Sequence, residues 1–348
     1  MTQSSDPAGS TTPPVKSKRR PPFGRLLLWI VRILVIPIAV AVALLFVPGP
    51  LPQSRTVIVQ HGESVYDIAS SLDSYGVTLD PVLFRLASKV LAKDTVKAGE
   101  YEFPAHVSLY DAVSMLHEGH SVVHLFTVAE GLTSAEAVAP LVDIPLAGPQ
   151  LTVPPAEGTL LPESYRYNYG DSRAGLVARM QKAMQETLAG LWAARDPALP
   201  LKTPQEALIM ASIIEKETGK KEERARVARV FYNRLQNSMR LQSDPTTVYA
   251  ITKGQGPLGR PLTHEDMAVV SPFNTYTSDG LPPAPICNPG RASIEAALHP
   301  EANDFLYFVA DGTGGHVFSK NLNEHNGNVA KLIKVQENPP PAEKPVTP

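Results

Sequence analysis

Cysteine is nearly absent. A single one, Cys287, stands in 348 residues, which excludes an internal disulfide framework and any zinc site built on cysteine pairs. With no partner it reads as a small buried residue. Net charge is also nearly absent, since 32 Lys and Arg against 34 Asp and Glu leave −2. A nucleic-acid binder would need a strongly basic face, so no nucleic-acid partner is expected. His299, His316 and His325 lack the compact spacing of a metal-ligand pair, so no metal and no cofactor is expected either. What the chain does have is proline: 34 residues, about twice ordinary usage. Its hydrophobic share of 43% suffices for a sizeable core, and its length suggests about two domains.

These averages conceal an uneven chain. Residues 1–25 are rich in Ser, Thr and Pro and close on a basic cluster of Lys16, Lys18, Arg19, Arg20 and Arg25. They read as a disordered cytoplasmic tail. Leu26 to Val47 follows, apolar except for Arg32 and its Pro37. At ~1.5 Å per residue this stretch reaches roughly 33 Å, enough for a bilayer core of ~30 Å. Arg32 can snorkel to the headgroups, and proline is tolerated in a membrane helix. A cleaved signal peptide would have a shorter apolar region and a small-residue cleavage site, whereas this run ends in Pro48-Gly49-Pro50. The other alternative is a buried core helix. The expectation is one transmembrane helix over 26–47 with the N-terminus cytoplasmic by the positive-inside rule. Everything beyond it then lies on the outer side, the periplasm of a bacterial inner membrane.

Residues 53–125 read as a small α/β module. Thr56 to Gln60 alternates like a strand, and Ser64 is a fitting N-cap for a helix over Val65 to Leu72. Asp80 and Pro81 open a second helix; Ser108 and Asp111 open a third, which Gly119 ends. Residues 126–335 read as a larger mixed domain, making the fold class α+β, and 336–348 read as a disordered tail. Within the large domain Thr203-Pro204-Gln205-Glu206 supplies N-cap, first-turn proline and capping-box glutamate for a helix that Gly219 stops. A second helix, Glu222 to Leu235, carries Val227, Val230, Phe231 and Leu235 on its apolar side, with Arg224, Arg226 and Arg229 around it.

The first of these helices ends in Glu215-Lys216-Glu217-Thr218. On a wheel at ~100° per residue Lys216 points away from the apolar side, and the two glutamates flank it on opposite sides. Glu217 lies slightly nearer the apolar stripe. A glutamate at a helix edge is ordinarily just a solvated charge, so the wheel alone selects neither. Downstream come Leu241-Gln242-Ser243-Asp244-Pro245-Thr246, Asn274-Thr275-Tyr276-Thr277, Gly280-Leu281-Pro282-Pro283 and Asn288-Pro289-Gly290. Stiff loops carrying amide, hydroxyl and aromatic groups suit a polyhydroxylated ligand, although each alone is ordinary turn chemistry.

Taken in order with Asn233-Arg234-Leu235, Leu306 to Gly312, Gly315-His316 and His325-Asn326, these motifs resemble the endolytic murein transglycosylases, the MltG or YceG-like family. The resemblance runs from about Arg55 to Leu332. It implies that the first module is LysM-like, a peptidoglycan-binding fold, and that the activity is lytic cleavage of the MurNAc-GlcNAc bond. It also implies a catalytic glutamate followed by a hydroxyl residue, which Glu217-Thr218 matches, with Glu215 as the fallback. Gln242, Asn274 and Tyr276 become candidate substrate-binding residues. Ser243 departs from the family's usual threonine, and residues 142–159 are unusually Pro-rich. A lytic transglycosylase also removes the need for the second carboxylate that a glycoside hydrolase uses; Asp244, Asp279 and Asp311 are the candidates for one. Nascent peptidoglycan strands are the expected partner, with the synthases that polymerise them nearby. The competing reading is a non-catalytic, membrane-anchored peptidoglycan-binding protein.

Overall fold

The computed structural model describes Thr2 and residues 29–337, with side chains to Lys334. The expected tails, apart from Thr2, 336 and 337, lie outside the described residues, as do 26–28 of the expected membrane helix. The described chain begins with a wide helical turn over Val31–Val35 that runs into α1 (Ile36–Leu45). Residues 29–44 are all exposed. Among the described residues no helix is long and apolar enough to cross a membrane. Among the described residues beyond it the class is mixed α+β, with helices and three separate two-stranded antiparallel sheets.

The chain divides into two compact units between Ser121 and Val122. In the first, β1 (Arg55–Val59) is followed by α2 (Val65–Ser74) and α3 (Pro81–Ala87), which continues as a wide turn over Ser88–Ala92. Next come β2 (Gly99–Phe103) and α4 (Leu109–Glu118). β1 and β2 pair with Val57 opposite Tyr101. Side chains alternate along a strand, so Val57, Val59, Tyr101 and Phe103 all face inward, onto Ile68, Leu72, Phe84 and Leu116. The capping chemistry read from the sequence is present. Ser64 accepts the Asp67 N–H at 3.2 Å, Asp80 accepts Val82 N–H at 2.6 Å, and Ser108 accepts Asp111 N–H at 3.1 Å. Gly119 closes α4 at φ 82°, a left-handed conformation that glycine takes without strain.

The second unit starts earlier than the expected residue 126. Its first strand β3 (Val123–Thr127) pairs with β4 (Ser164–Asn168), Val123 standing opposite Asn168. Between them lies α5 (Ser134–Val138). A partner so far along the chain explains why β4 leaves no hairpin signal in the sequence. The remaining elements are α6 (Arg173–Ala193), α7 (Pro204–Glu217), α8 (Arg224–Gln236), α9 (Asp244–Thr252), α10 (His264–Met267), α11 (Arg291–Leu298), β5 (Tyr307–Ala310), β6 (His316–Ser319) and α12 (Leu322–Glu337).

Helix α7 is the axis of this unit. Thr203 caps it by accepting Glu206 N–H at 3.2 Å, and Pro204 fills the first turn. The expected reciprocal bond takes a different route: the Glu206 carboxylate accepts the N–H of Lys202. Every residue from Ala207 to Ile214 is buried, with α6, α8 and α11 packed around it. Burying each large aliphatic side chain here is worth about 1.5–3 kcal/mol, so Ile213→Ala in this core should cost about 2–5 kcal/mol. Gly219 is not what stops the helix. Thr218 already leaves helical geometry at φ −140°, because its hydroxyl is drawn to Glu223 Oε2 at 3.3 Å.

Candidate active site

Successive helical positions turn by ~100°, so the end of α7 sends Glu215, Lys216 and Glu217 into three different surroundings. Lys216 is exposed and donates to the Gly131 carbonyl at 3.2 Å. The Glu215 side chain is 5% exposed and ion-paired with Arg224 Nη2 at 3.0 Å. Its second oxygen accepts the Gly290 N–H at 2.8 Å. Glu130, whose side chain lies against the bare Cα of Gly290, shares Arg224 Nη2 at 3.2 Å. Arg224, one of the arginines around the apolar side of its helix, is buried in this cluster. Glu215, the fallback acid, is thus sealed in a structural ion pair.

Glu217 faces a cleft of about 340 Å³ together with Arg234, Gln242, Asp244, Tyr276, Tyr307, Phe308 and His325. Its Oε1 accepts the hydroxyl hydrogen of Ser243. Burial pushes its carboxyl from 4.5 up to about 7. The bond from Ser243 and the charge of Arg234 oppose that rise, while the Asp244 carboxylate adds to it. A carboxylic acid with such a pKa is substantially protonated at neutral pH and can serve as acid and as base in turn. Burial also raises Glu157, but its oxygens are taken by Ser134 N–H at 2.6 Å and by the Tyr249 hydroxyl, away from this cleft.

Arg234 is the fixed post of the cleft. Its Nε donates to the Leu306 carbonyl at 2.7 Å, and Nη1 donates to Leu241 O at 2.9 Å and Gln242 Oε1 at 3.2 Å. The guanidinium lies over the Tyr307 ring at 5.1 Å. Tyr307 also stacks on His325 at 5.2 Å, whose pKa is lowered by burial and by Arg234. Gln242 holds a left-handed backbone at φ 53°, with its N–H bound to Thr275 O at 3.1 Å. The Tyr276 hydroxyl donates to Asp244 Oδ1 at 2.6 Å; burial first, then this bond, raises its pKa.

Of the candidate substrate-binding residues, Gln242 and Tyr276 line the cleft and Asn274 does not. Asn274 is fully buried, giving its amide hydrogens to Met267 O and Val269 O and accepting from Thr247 and the Tyr276 N–H. It braces the loop that presents Tyr276. Asn288 likewise fastens the loop after Pro285, bonding Leu160 N–H at 2.9 Å and the Leu132 carbonyl at 3.1 Å. Thr218, the hydroxyl expected beside the acid, turns away to Glu223; Ser243 meets Glu217 instead. Of the three aspartates only Asp244 reaches the cleft. Asp279 pairs with Arg240 at 2.9 Å, and Asp311 caps its own turn through Thr313 N–H. Cys287 is buried with its Sγ 3.3 Å from the Ser212 carbonyl.

Sequence reasoning assigned no role to Arg234, Tyr307 or His325. Arg234 gave a usable signal, because it falls on the same stripe of α8 as Val227, Val230 and Phe231, where a charge needs partners. His316 pairs with Glu223 at 2.8 Å, and His299 ends α11. Among the described residues no group of three or more His, Cys, Asp or Glu is placed to hold a metal.

The profile of the YceG-like family matches residues 57–331. An endolytic murein transglycosylase of Bacillus subtilis is 39% identical over 180 residues, covering 51% of this chain and 48% of its own. One of Streptococcus pneumoniae is 29% identical over 332 residues, covering 81% and 59%. A solved structure of a putative yceG-like protein from Listeria monocytogenes superposes with a TM-score of 0.50 at 32% identity, covering 79% of this chain and 99% of that one. The chain thus spans between 48% and 59% of the length of these curated relatives. With a match over most of its length, the chain belongs to the YceG-like family.

Proposed function

We propose that this protein is an endolytic lytic transglycosylase of peptidoglycan. The observation that carries this reading is the single glutamate Glu217, raised to about 7 and lining an open cleft with its oxygen held by Ser243. Protonated Glu217 gives its proton to the oxygen between MurNAc and GlcNAc as the C1–O bond breaks. The resulting carboxylate takes the proton of the muramic C6 hydroxyl, whose oxygen bonds to C1 of the same sugar. Glu217 is thereby restored, water is not consumed, and a 1,6-anhydro end remains. The nucleophile belongs to the substrate, so the attack gains the effective molarity of an intramolecular reaction, up to ~10⁵–10⁸ M. Arg234 and Gln242 form a preorganised wall, and Asp244 lends negative potential toward the cationic sugar of the transition state. Digestion of defined glycan strands tests this. Anhydro-ended products, one water lighter than hydrolytic ones, are expected. Reducing ends would make Asp244 a hydrolytic partner, and binding without cleavage would leave a wall-binding protein.

We further infer a single-pass inner-membrane protein with its N-terminus in the cytoplasm and both units periplasmic. The basic cluster before an apolar run, and the exposure of that run from Trp29 to Leu44, support it. Protease added to spheroplasts should digest both units. A tethered enzyme would reach only glycan close to the membrane, hence nascent strands beside their synthases. The first unit is the LysM-like, glycan-binding module in this reading, its two strands enclosing two helices.

A further inference from the structure

Helix α3 and its continuation to Ala92 have two apolar sides. Phe84, Ala87 and Ala92 point into the core of the first unit. On the other side Val82, Leu86 and Val90 form an i, i+4, i+8 stripe that is 63%, 58% and 71% exposed. A folded domain rarely leaves a second contiguous apolar stripe in water. The stripe has two further marks. It continues into the apolar N-terminal helix: Ile38, Val42 and Leu45 share with Leu83, Leu86 and Val90 one cavity of about 190 Å³. Arg85 and Lys89 run alongside it, one turn apart and both exposed. The Arg85 guanidinium stands 5.3 Å over the ring of Tyr66, itself 61% exposed.

We propose that this face of α3 lies in the lipid surface as an interfacial helix, reading anionic headgroups through Arg85 and Lys89. Apolar stripe, cationic flank and a tyrosine at the polar edge are what the boundary between acyl chains and phosphates accommodates. Lys and Arg at that depth gain from the negative surface potential of anionic lipid. Continuity with α1 sets the orientation: Ile38 to Leu45 would occupy the outer part of the membrane helix, level with the stripe. The proposal rests on the membrane-anchor reading, and its consequence is that the first unit is held flat against the bilayer, not swinging on a free tether. Asp94 shares the groove beside Tyr66, Arg85 and Lys89, which puts one like charge against the phosphates at its far end.

The test uses the full chain in phosphatidylcholine vesicles with and without phosphatidylglycerol. Cys287 is buried and its thiol is held protonated by burial, so an introduced cysteine takes a fluorophore selectively. Leu86→Cys is compared with Glu102→Cys, on the outer side of the β1–β2 sheet across the core. Lipids carrying a nitroxide at the headgroup boundary should quench the label at 86 at least about twofold and leave the label at 102 unchanged. Arg85→Gln with Lys89→Gln should abolish the gain in quenching that phosphatidylglycerol gives. A chain that floats with the vesicles yet shows equal quenching at 86 and 102 overturns the interfacial helix and leaves the anchor standing. A chain that does not float overturns the anchor and this proposal together. Blue-shifted but unquenched emission at 86 would mean a protein covers the stripe, and would also overturn it.

Discussion

Glu215 and Glu217 stand two positions apart at the end of one helix, and the structure treats them in opposite ways. Glu215 has both oxygens committed, to a buried arginine and to a backbone N–H. Glu217 has one oxygen against the Ser243 hydroxyl and looks into a cleft, where burial lifts its pKa to about 7. Chemical identity and secondary structure are the same for both. Charge compensation is what separates them: an ion pair fixes a carboxylate as part of the frame, whereas burial beside weaker partners leaves a proton that can move.

That contrast can be broken at either end. Glu217→Gln should lower strand cleavage by ~10³-fold or more while far-UV circular dichroism and glycan binding stay unchanged; residual turnover near wild type would move the acid elsewhere. Arg224→Ala strands Glu215 in a buried site, and should cost about 3 kcal/mol in urea unfolding. Two other buried nitrogens of Arg224, Nε and Nη1, have no hydrogen-bond partner among the described residues, which keeps this figure at the low end. Glu215→Gln should also destabilise the fold yet leave turnover per folded molecule within about twofold, since its carboxylate never meets the cleft.

Two smaller effects sharpen the comparison through pH. The folded pKa of Glu217 lies above its ordinary 4.5, so its contribution to stability is complete below that value and lost as pH rises through about 7. Gln does not titrate. Thermal unfolding of Glu217→Gln against wild type should therefore show an advantage that opens between pH 4.5 and 7 and is flat above, on the order of 3 kcal/mol. Ser243→Ala removes a bond that favours the charged form. The pKa of Glu217 then rises further, and the alkaline limb of the cleavage profile should move upward, by up to about one pH unit. A downward move would mean that Ser243 stabilises the protonated acid.

Much of the first unit was legible because its signals are local. Ser64, Asp80 with Pro81, Ser108 and Gly119 each mark a helix end within a few residues of themselves, and β1 shows the two-residue alternation of a half-buried strand. The second unit was legible where it is likewise local, as at Thr203. It was not legible where partners are distant in sequence. β3 needs β4, Glu215 needs Gly290, and Thr218 takes its direction from Glu223. The site followed the same rule. Glu217, Gln242 and Tyr276 were singled out as residues, but that Asn274 is a buried brace depends on Met267, Val269 and Thr247 around it.

Gln242 adopts a left-handed backbone, φ 53°, that glycine would take freely. Holding it there gives up about 1 kcal/mol of stability and in return aims an amide oxygen at Arg234. Thermal resistance and turnover are therefore opposed at this one position. A library selected only for survival of heating should drift to glycine at 242, and the same library selected for strand cleavage should restore glutamine.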